Sequence, residues 1–312
     1  MPHISVVIPV YKAEDSLHEL YRRLKESLET TTKDFEIILV EDCGGDRSWD
    51  IIAELAELDN RVKGIQFSRN FGQHASTICG ISKANGDWIV TIDDDLEHMP
   101  EDIPAMYAKA QEGYDLVYGI YNQRTHSKWR NITSDIARKL FRIAIPNLNH
   151  EYTSLRIIKK NIAMSLTKFD SPFPFIDGYL SWVTNNYSTI TVNHGIRKYG
   201  NSNYNLRKLL VHTINIFITF SDLPLKIAIW MGLFSFMIGS FWLLIILIEK
   251  FFGIITVMGY TSIMAAIIAF GGLQMLILGI LGIYLGRINF KTSRKPLFVI
   301  SEEIDLKRNN LI

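Results

Sequence analysis

Residues 88–97 read WIVTIDDDLE: five apolar or β-branched residues run directly into three consecutive aspartates. Trp88–Ile92 has the length and side chains of a buried strand. Like charges a few ångströms apart repel, so Asp93, Asp94 and Asp95 are costly neighbours. A divalent cation offsets that cost, because carboxylate oxygen is its preferred hard ligand. Side chains alternate along an extended chain, so Asp93 and Asp95 point to one side and can converge on one ion. For this motif alone, a solvated acidic turn is the plainer alternative.

Outward from this stretch, strand and helix patterns alternate. Ile4–Val10, Glu36–Val40 and Val62–Phe67 are short runs rich in β-branched residues. Between them, Ser16–Glu29 repeats leucine at helical spacing through Leu17, Leu20, Leu24 and Leu28, and Ser48–Leu58 is helical with Ser48 or Asp46 as N-cap. Gln73–Ala84 fills the interval before Trp88. This alternation predicts an α/β domain with a mostly parallel sheet covered on both faces. In such sheets ligands sit at the carboxyl ends of the strands. Three unusual clusters fall there: Pro9-Val10-Tyr11, then Glu41-Asp42-Cys43-Gly44-Gly45-Asp46, then Asp93 to Glu97. No G-x-G-x-x-G follows the first strand, which disfavours a dinucleotide oxidoreductase. Further on, Lys128–Ile145 reads as an amphipathic helix and Tyr179–Asn186 as a short element. His74 and His98 read as surface or hydrogen-bonded histidines, and Trp49 and Trp88 as core residues.

The 312 residues carry a formal net charge of +1, too little to collect phosphates along a nucleic acid. Cys43 and Cys79 are far apart and lack metal-ligand spacing, so neither a disulfide framework nor a zinc site is expected. Charged residues make up 21% of the chain, yet none occurs from Ile227 to Ile248 or from Phe251 to Gly286. A bilayer core of about 30 Å needs roughly 20 apolar helical residues, so two crossings are expected near 226–248 and 261–286. Arg207, Lys208 and Lys226 precede them and Arg287, Lys291, Arg294 and Lys295 follow. Only Lys250, beside Glu249, lies in the turn. The positive-inside rule places both termini in the cytoplasm, and MPHISVVIPVY does not read as a signal peptide. Leu206–Phe220 is apolar on one face with Arg207, Lys208 and His212 on the other, as for an interfacial or a core-packing helix. Gly271, Gly272, Gly279 and Gly282 form small-residue surfaces suited to helix packing, including between subunits.

SVVIPVYKAEDSL, VEDCGGDRSWD and FSRNFGQHASTICGISKANGDWIVTIDDDLEHMPED, followed by RKYGNSNYNLRKLL before the two apolar runs, carry a resemblance over nearly the whole chain. The chain resembles the family-2 glycosyltransferases, in the branch of dolichol-phosphate mannose synthase and bacterial polyprenyl-phosphate glycosyltransferases. The resemblance implies a GT-A (Rossmann-like) domain over residues 1–205, a juxtamembrane amphipathic helix over 206–224, a two-helix transmembrane hairpin over 225–290 and a cytoplasmic tail over 291–312. It implies Mg²⁺ or Mn²⁺ and inversion at the anomeric carbon. Carried over, Pro9 and Tyr11 line the base pocket, Asp42 receives the base N–H, and Asp94 belongs to the donor site. Asp93 and Asp95 hold the metal against the diphosphate, with Glu97 completing its shell. Arg124 and Arg130 approach the acceptor phosphate, and Arg197 and Ser202 close over the donor.

The implied activity is a hexosyl-type transfer from a nucleotide sugar, with a UDP-sugar favoured, to polyprenyl (undecaprenyl) phosphate at the cytoplasmic face of an inner membrane. A lipid phosphate is already anionic and needs no strong base. The alternative, extension of a lipid-linked saccharide of O-antigen type at a hydroxyl, requires one, with Asp94, Glu151 or Asp177 as candidates. A nucleotide-sugar-binding scaffold without catalysis is the third possibility. Two departures stand out: Glu41-Asp42-Cys43-Gly44-Gly45 replaces the usual VDDGS, and HEYTSLRIIKK has Glu151 and Leu155 where relatives carry Asp and Gly or Phe, while Arg156 keeps its place.

Overall fold

The computed structural model describes residues 3–121, 152–169, 171, 174–193, 195, 221, 223–252, 259–293 and 295–305. The chain divides into two compact units, one comprising Met1–Thr213 with Pro296–Ile312 and the other Ile214–Lys295. The expected Lys128–Ile145 and Leu206–Phe220 helices lie outside the described residues.

In the first unit the order is β1 (Ile4–Val10), α1 (Leu17–Glu29), β2 (Phe35–Glu41), α2 (Ser48–Leu58), β3 (Val62–Phe67), α3 (Gln73–Lys83) and β4 (Trp88–Thr91). After a short 3₁₀ turn come α4 (Ile103–Ala110), β5 (Leu116–Tyr121), β6 (Arg156–Lys159), α5 (Lys160–Leu166), α6 (Ile176–Val183), β7 (Tyr187–Val192) and finally β8 (Ile300–Ile304). One eight-stranded sheet results, in the order β7-β5-β6-β4-β1-β2-β3-β8. β4, β1, β2 and β3 run parallel, as does β5 with β7. β6 lies antiparallel between β4 and β5, and β8 antiparallel along β3.

The sheet is therefore mixed, not mostly parallel. Alternation with helices marks only the parallel half, and the antiparallel strands come from stretches without that rhythm. Residues 300–304, within the segment expected as a tail, form one of them.

Period-2 alternation on β1 separates two faces. Ile4, Val6, Ile8 and Val10 join the core formed by Leu17, Leu20, Leu24 and Leu28 of α1 and Ile52 and Leu55 of α2. Val7 points to the opposite face, where it meets Gly80 of α3 so closely that a Cβ there would collide with its Cγ1. Trp49 and Trp88 pack against the core, as expected. At the start of α2 the Asp46 carboxylate accepts the Ser48 N–H at 3.3 Å and the Ser48 hydroxyl at 2.8 Å. The N-cap position itself is Arg47, with no side-chain cap bond, and not Ser48 or Asp46 as expected; Asp46 lies one residue before it.

The second unit holds two long helices, α7 (Leu223–Phe251, 29 residues) and α8 (Tyr260–Thr292, 33 residues). Their lengths are about 43 and 50 Å at 1.5 Å per residue. Gly232 faces Ile277 and Gly239 faces Phe270, so glycines let the two helices approach. A Cβ added at Gly271, Gly272, Gly279 or Gly282 would meet nothing within 4 Å among the described residues. Over the described side chains alone, no helix is long and apolar enough to cross a membrane.

Candidate active site

Parallel pairing sets the three clusters side by side. Val10 lies opposite Glu41 and Val7 opposite Thr91, so the residues after β1, β2 and β4 share one sheet edge. Among the described residues, the non-glycine positions with positive φ are Lys12 (55°), Cys43 (53°) and Leu96 (63°), one after each of these strands. Left-handed backbone at non-glycine residues costs roughly 1 kcal/mol or more each and gathers where function demands it. Cys43 stands where the expected motif has a glycine, and it adopts a left-handed backbone there.

Pro9 is buried within β1 and Tyr11 is 41% exposed at its end. The Tyr11 backbone N–H donates to Asp94 Oδ2 at 2.9 Å, and the Ser16 hydroxyl donates to the Asp94 carbonyl at 2.7 Å, which ties the strand-four turn to the strand-one turn. Burial, reinforced by the charges of Asp93 and Asp95, pushes the Asp94 carboxyl up to about 7 against the opposing Tyr11 N–H. Asp93 Oδ1 accepts from Gln73 Nε2 at 2.6 Å, and its Oδ2 from the Ser154 hydroxyl at 2.5 Å. Asp95 Oδ1 accepts the Glu97 N–H at 3.0 Å. The Glu97 carbonyl in turn accepts the Tyr121 hydroxyl at 3.2 Å and the Gly195 N–H at 2.8 Å. His98 is buried with its ring stacked on Tyr121 at 5.5 Å, and His74 meets Phe175 edge-on.

Asp42 is buried, and its two carboxylate oxygens accept the Phe71 N–H at 2.6 Å and the Gly72 N–H at 2.8 Å. Burial raises its pKa while those two amides oppose the rise. The expected base contact would use a remaining lone pair. One segment therefore serves both ends of the site: its amides hold Asp42, and the next residue, Gln73, holds Asp93. We expect Asp42→Asn to lower stability by about 1–3 kcal/mol, because an amide offers one acceptor to two half-buried N–H donors. A melting-temperature comparison checks this.

Asp93 and Asp95 fit a hard divalent cation in the chemistry of their donors. Mg²⁺-like ions commonly take one or two carboxylates and fill the remaining positions with substrate phosphate and water. Among the described residues, no three His, Cys, Asp or Glu side chains form a metal cage, so the expected set of Asp93, Asp95 and Glu97 is not drawn together around one point.

Sequence reasoning overlooked Gln73, Ser154 and Tyr121. Ser154 reaches Asp93 because β6 pairs antiparallel with β4, Thr91 opposite Arg156. Asp177 and Arg156 form a buried ion pair, the Tyr118 hydroxyl donates to Asp177 Oδ1 at 3.2 Å, and Arg156 Nε donates to Thr91 Oγ1 at 2.9 Å. Arg124, Arg130, Glu151, Arg197 and Ser202 lie outside the described residues.

A model of glycosyl transferase family 2 matches residues 5–168. An uncharacterized glycosyltransferase of Bacillus subtilis, YkcC, is 32% identical over 309 residues, covering 98% of this chain and 96% of that one. Undecaprenyl-phosphate 4-deoxy-4-formamido-L-arabinose transferase of Proteus mirabilis is 31% identical over 311 residues, covering 98% and 95%. Among solved structures, glucosyl-3-phosphoglycerate synthase of Mycobacterium tuberculosis, in complex with Mn²⁺, UDP and phosphoglyceric acid, aligns over 70% of this chain and 77% of that one, with 17% identity and a TM-score of 0.51. That likeness shows a shared GT-A fold.

Proposed function

This chain belongs to glycosyl transferase family 2 and is a glycosyltransferase, and we propose that it moves a sugar from a nucleotide sugar onto undecaprenyl phosphate with inversion at the anomeric carbon. The observation that carries the acceptor is the extent of similarity: the match to the Proteus mirabilis transferase covers 98% of the chain, long helices included, not the sheet alone. UDP and Mn²⁺ in the Mycobacterium structure support a UDP-sugar and a divalent ion here.

Attack by a phosphate oxygen of the lipid forms the new bond to the anomeric carbon. The bond from that carbon to the donor diphosphate breaks, and its electron pair leaves with the nucleoside diphosphate. A divalent ion, when bound, neutralises the charge developing on that leaving group. Asp93 and Asp95 are the residues to hold it, with Glu97 next in line. Gln73 and Ser154 orient the Asp93 carboxylate, and the amides of Phe71 and Gly72 orient Asp42. Pro9, Tyr11 and Asp94 border the donor. Arg124 and Arg130 are assigned to the lipid phosphate and Arg197 and Ser202 to the donor diphosphate, roles for which guanidinium forks are suited.

The hydroxyl-acceptor alternative needs a free carboxylate base. Asp177 is locked to Arg156 and Tyr118, which counts against it as that base.

Membrane attachment is proposed through α7 and α8. Ile229, Trp230, Phe234, Met237, Phe241 and Trp242 are all exposed along α7, and apolar exposure on this scale marks a membrane or protein interface. The chain leaves the sheet unit before α7 and re-enters it after α8, as an even number of crossings requires. The flanking Lys and Arg support a reading with both ends and the catalytic unit on the cytoplasmic side.

The test uses the purified full chain in detergent with undecaprenyl phosphate and a panel of radiolabelled nucleotide sugars. We expect organic-phase label with one donor, dependent on the lipid and abolished by chelation of divalent ions. Donor binding with no lipid labelled would overturn the proposal.

A further inference from the structure

We propose that β8 is a positioning element of the donor site, acting through β3 and the turn at 67–72 to set the two amides that hold Asp42. The inference rests on the assignment of the Asp42 corner to the donor pocket. β8 covers the open edge of β3, with Gly64 opposite Ile304, Ile65 opposite Glu303 and Phe67 opposite Ile300. The register slips between Gln66 and Phe67, where the strand gives way to the turn. There the Ser68 N–H donates to the Val299 carbonyl at 3.0 Å. The Phe298 ring stacks on Phe67 at 5.3 Å with 9° between the planes, and Phe67 meets Phe71 edge-on at 5.5 Å. Phe71 and Gly72 are the residues whose N–H groups bind Asp42, and Gln73 continues to Asp93.

Two ion pairs fix the strand in register, Lys83 with Glu303 at 2.6 Å and Lys63 with Asp305 at 3.1 Å. Without β8, β3 would be an edge strand with a row of unpaired backbone groups. The adjoining turn would lose both its Ser68 anchor and its aromatic support. Because β8 follows α8 in the chain, the donor corner is completed only by the segment that returns after both long helices. Phe298 is thus a positioning residue, acting on the donor corner through its stack on Phe67.

The experiment compares Phe298→Ala, Phe298→Tyr and the unmodified full chain in detergent. For Phe298→Ala we expect KM for the nucleotide sugar to rise about three- to tenfold, the size of one aromatic contact, with kcat within about twofold. Phe298→Tyr should restore KM. Hydrogen exchange at the Phe71 and Gly72 amides should quicken in Phe298→Ala while β1 amides keep their protection. An unchanged KM together with unchanged exchange at those amides would overturn the proposal, as would a fall in kcat alone. If Phe298→Ala does not fold, Phe298→Leu carries the same test. Should the unmodified chain turn over no donor, the assigned function fails, while exchange at Phe71 and Gly72 still decides whether β8 sets the turn.

Discussion

Asp95→Asn lowers turnover by about a thousandfold while leaving the melting temperature unchanged. A carboxylate-held ion contributes several kcal/mol to stabilising a charged leaving group, and each 1.36 kcal/mol is tenfold in rate. Asp95 is half-buried, and the amide oxygen of asparagine can still accept the Glu97 N–H that Asp95 Oδ1 accepts at 3.0 Å, so the substitution keeps that contact. Asp93→Asn should be as inactive for two reasons. The amide weakens the metal site, and its NH₂ must face either the Gln73 amide donor or the Ser154 hydroxyl, both now bonded to carboxylate oxygens. Steady-state rates across a titration of Mn²⁺ check the assignment. Full activity in both variants at limiting metal would sink it.

Asp177→Ala should be the most destabilising single change in the sheet unit. Arg156 is 3% and Asp177 5% exposed, so removing the carboxylate leaves a buried guanidinium without its charge partner and the Tyr118 hydroxyl without its acceptor. Breaking such a pair costs about 3–5 kcal/mol, which for a unit of this size is a fall of roughly 6–20 °C in Tm. Burial already raises the Asp177 pKa against the attraction of Arg156, as expected where desolvation is large. The loss should also reach catalysis, because Arg156 bonds Thr91, two residues before Asp93. Replacing both partners, as Arg156→Met with Asp177→Leu, should recover much of the stability but not the activity. Thermal unfolding of the two variants decides, and a shift below about 2 °C for Asp177→Ala would contradict the account.

The parallel half of the sheet was legible because its strands are continuous apolar runs separated by leucine-spaced helices. Ile4–Val10, Ser48–Leu58 and Val62–Phe67 fall where their patterns placed them. β6 and β8 were not legible. RIIK and ISEEI are too short and too polar to announce themselves, and their places depend on antiparallel pairing with strands far off in the sequence. The carboxylates of the site stood out because clustered charge at a strand end is costly. Gln73 and Ser154 did not, since a neutral side chain that orients a ligand carries no local signature. Asp177 was read as a candidate base from its charge alone, whereas the fold buries it against Arg156.

The most direct test of the central claim is the mass of the lipid product made from undecaprenyl phosphate and the donor that the panel selects. The account predicts undecaprenyl phosphate plus one glycosyl unit, joined through a single phosphate. A product that forms only when a lipid-linked saccharide is supplied, with the new sugar on a hydroxyl of that saccharide, would contradict it.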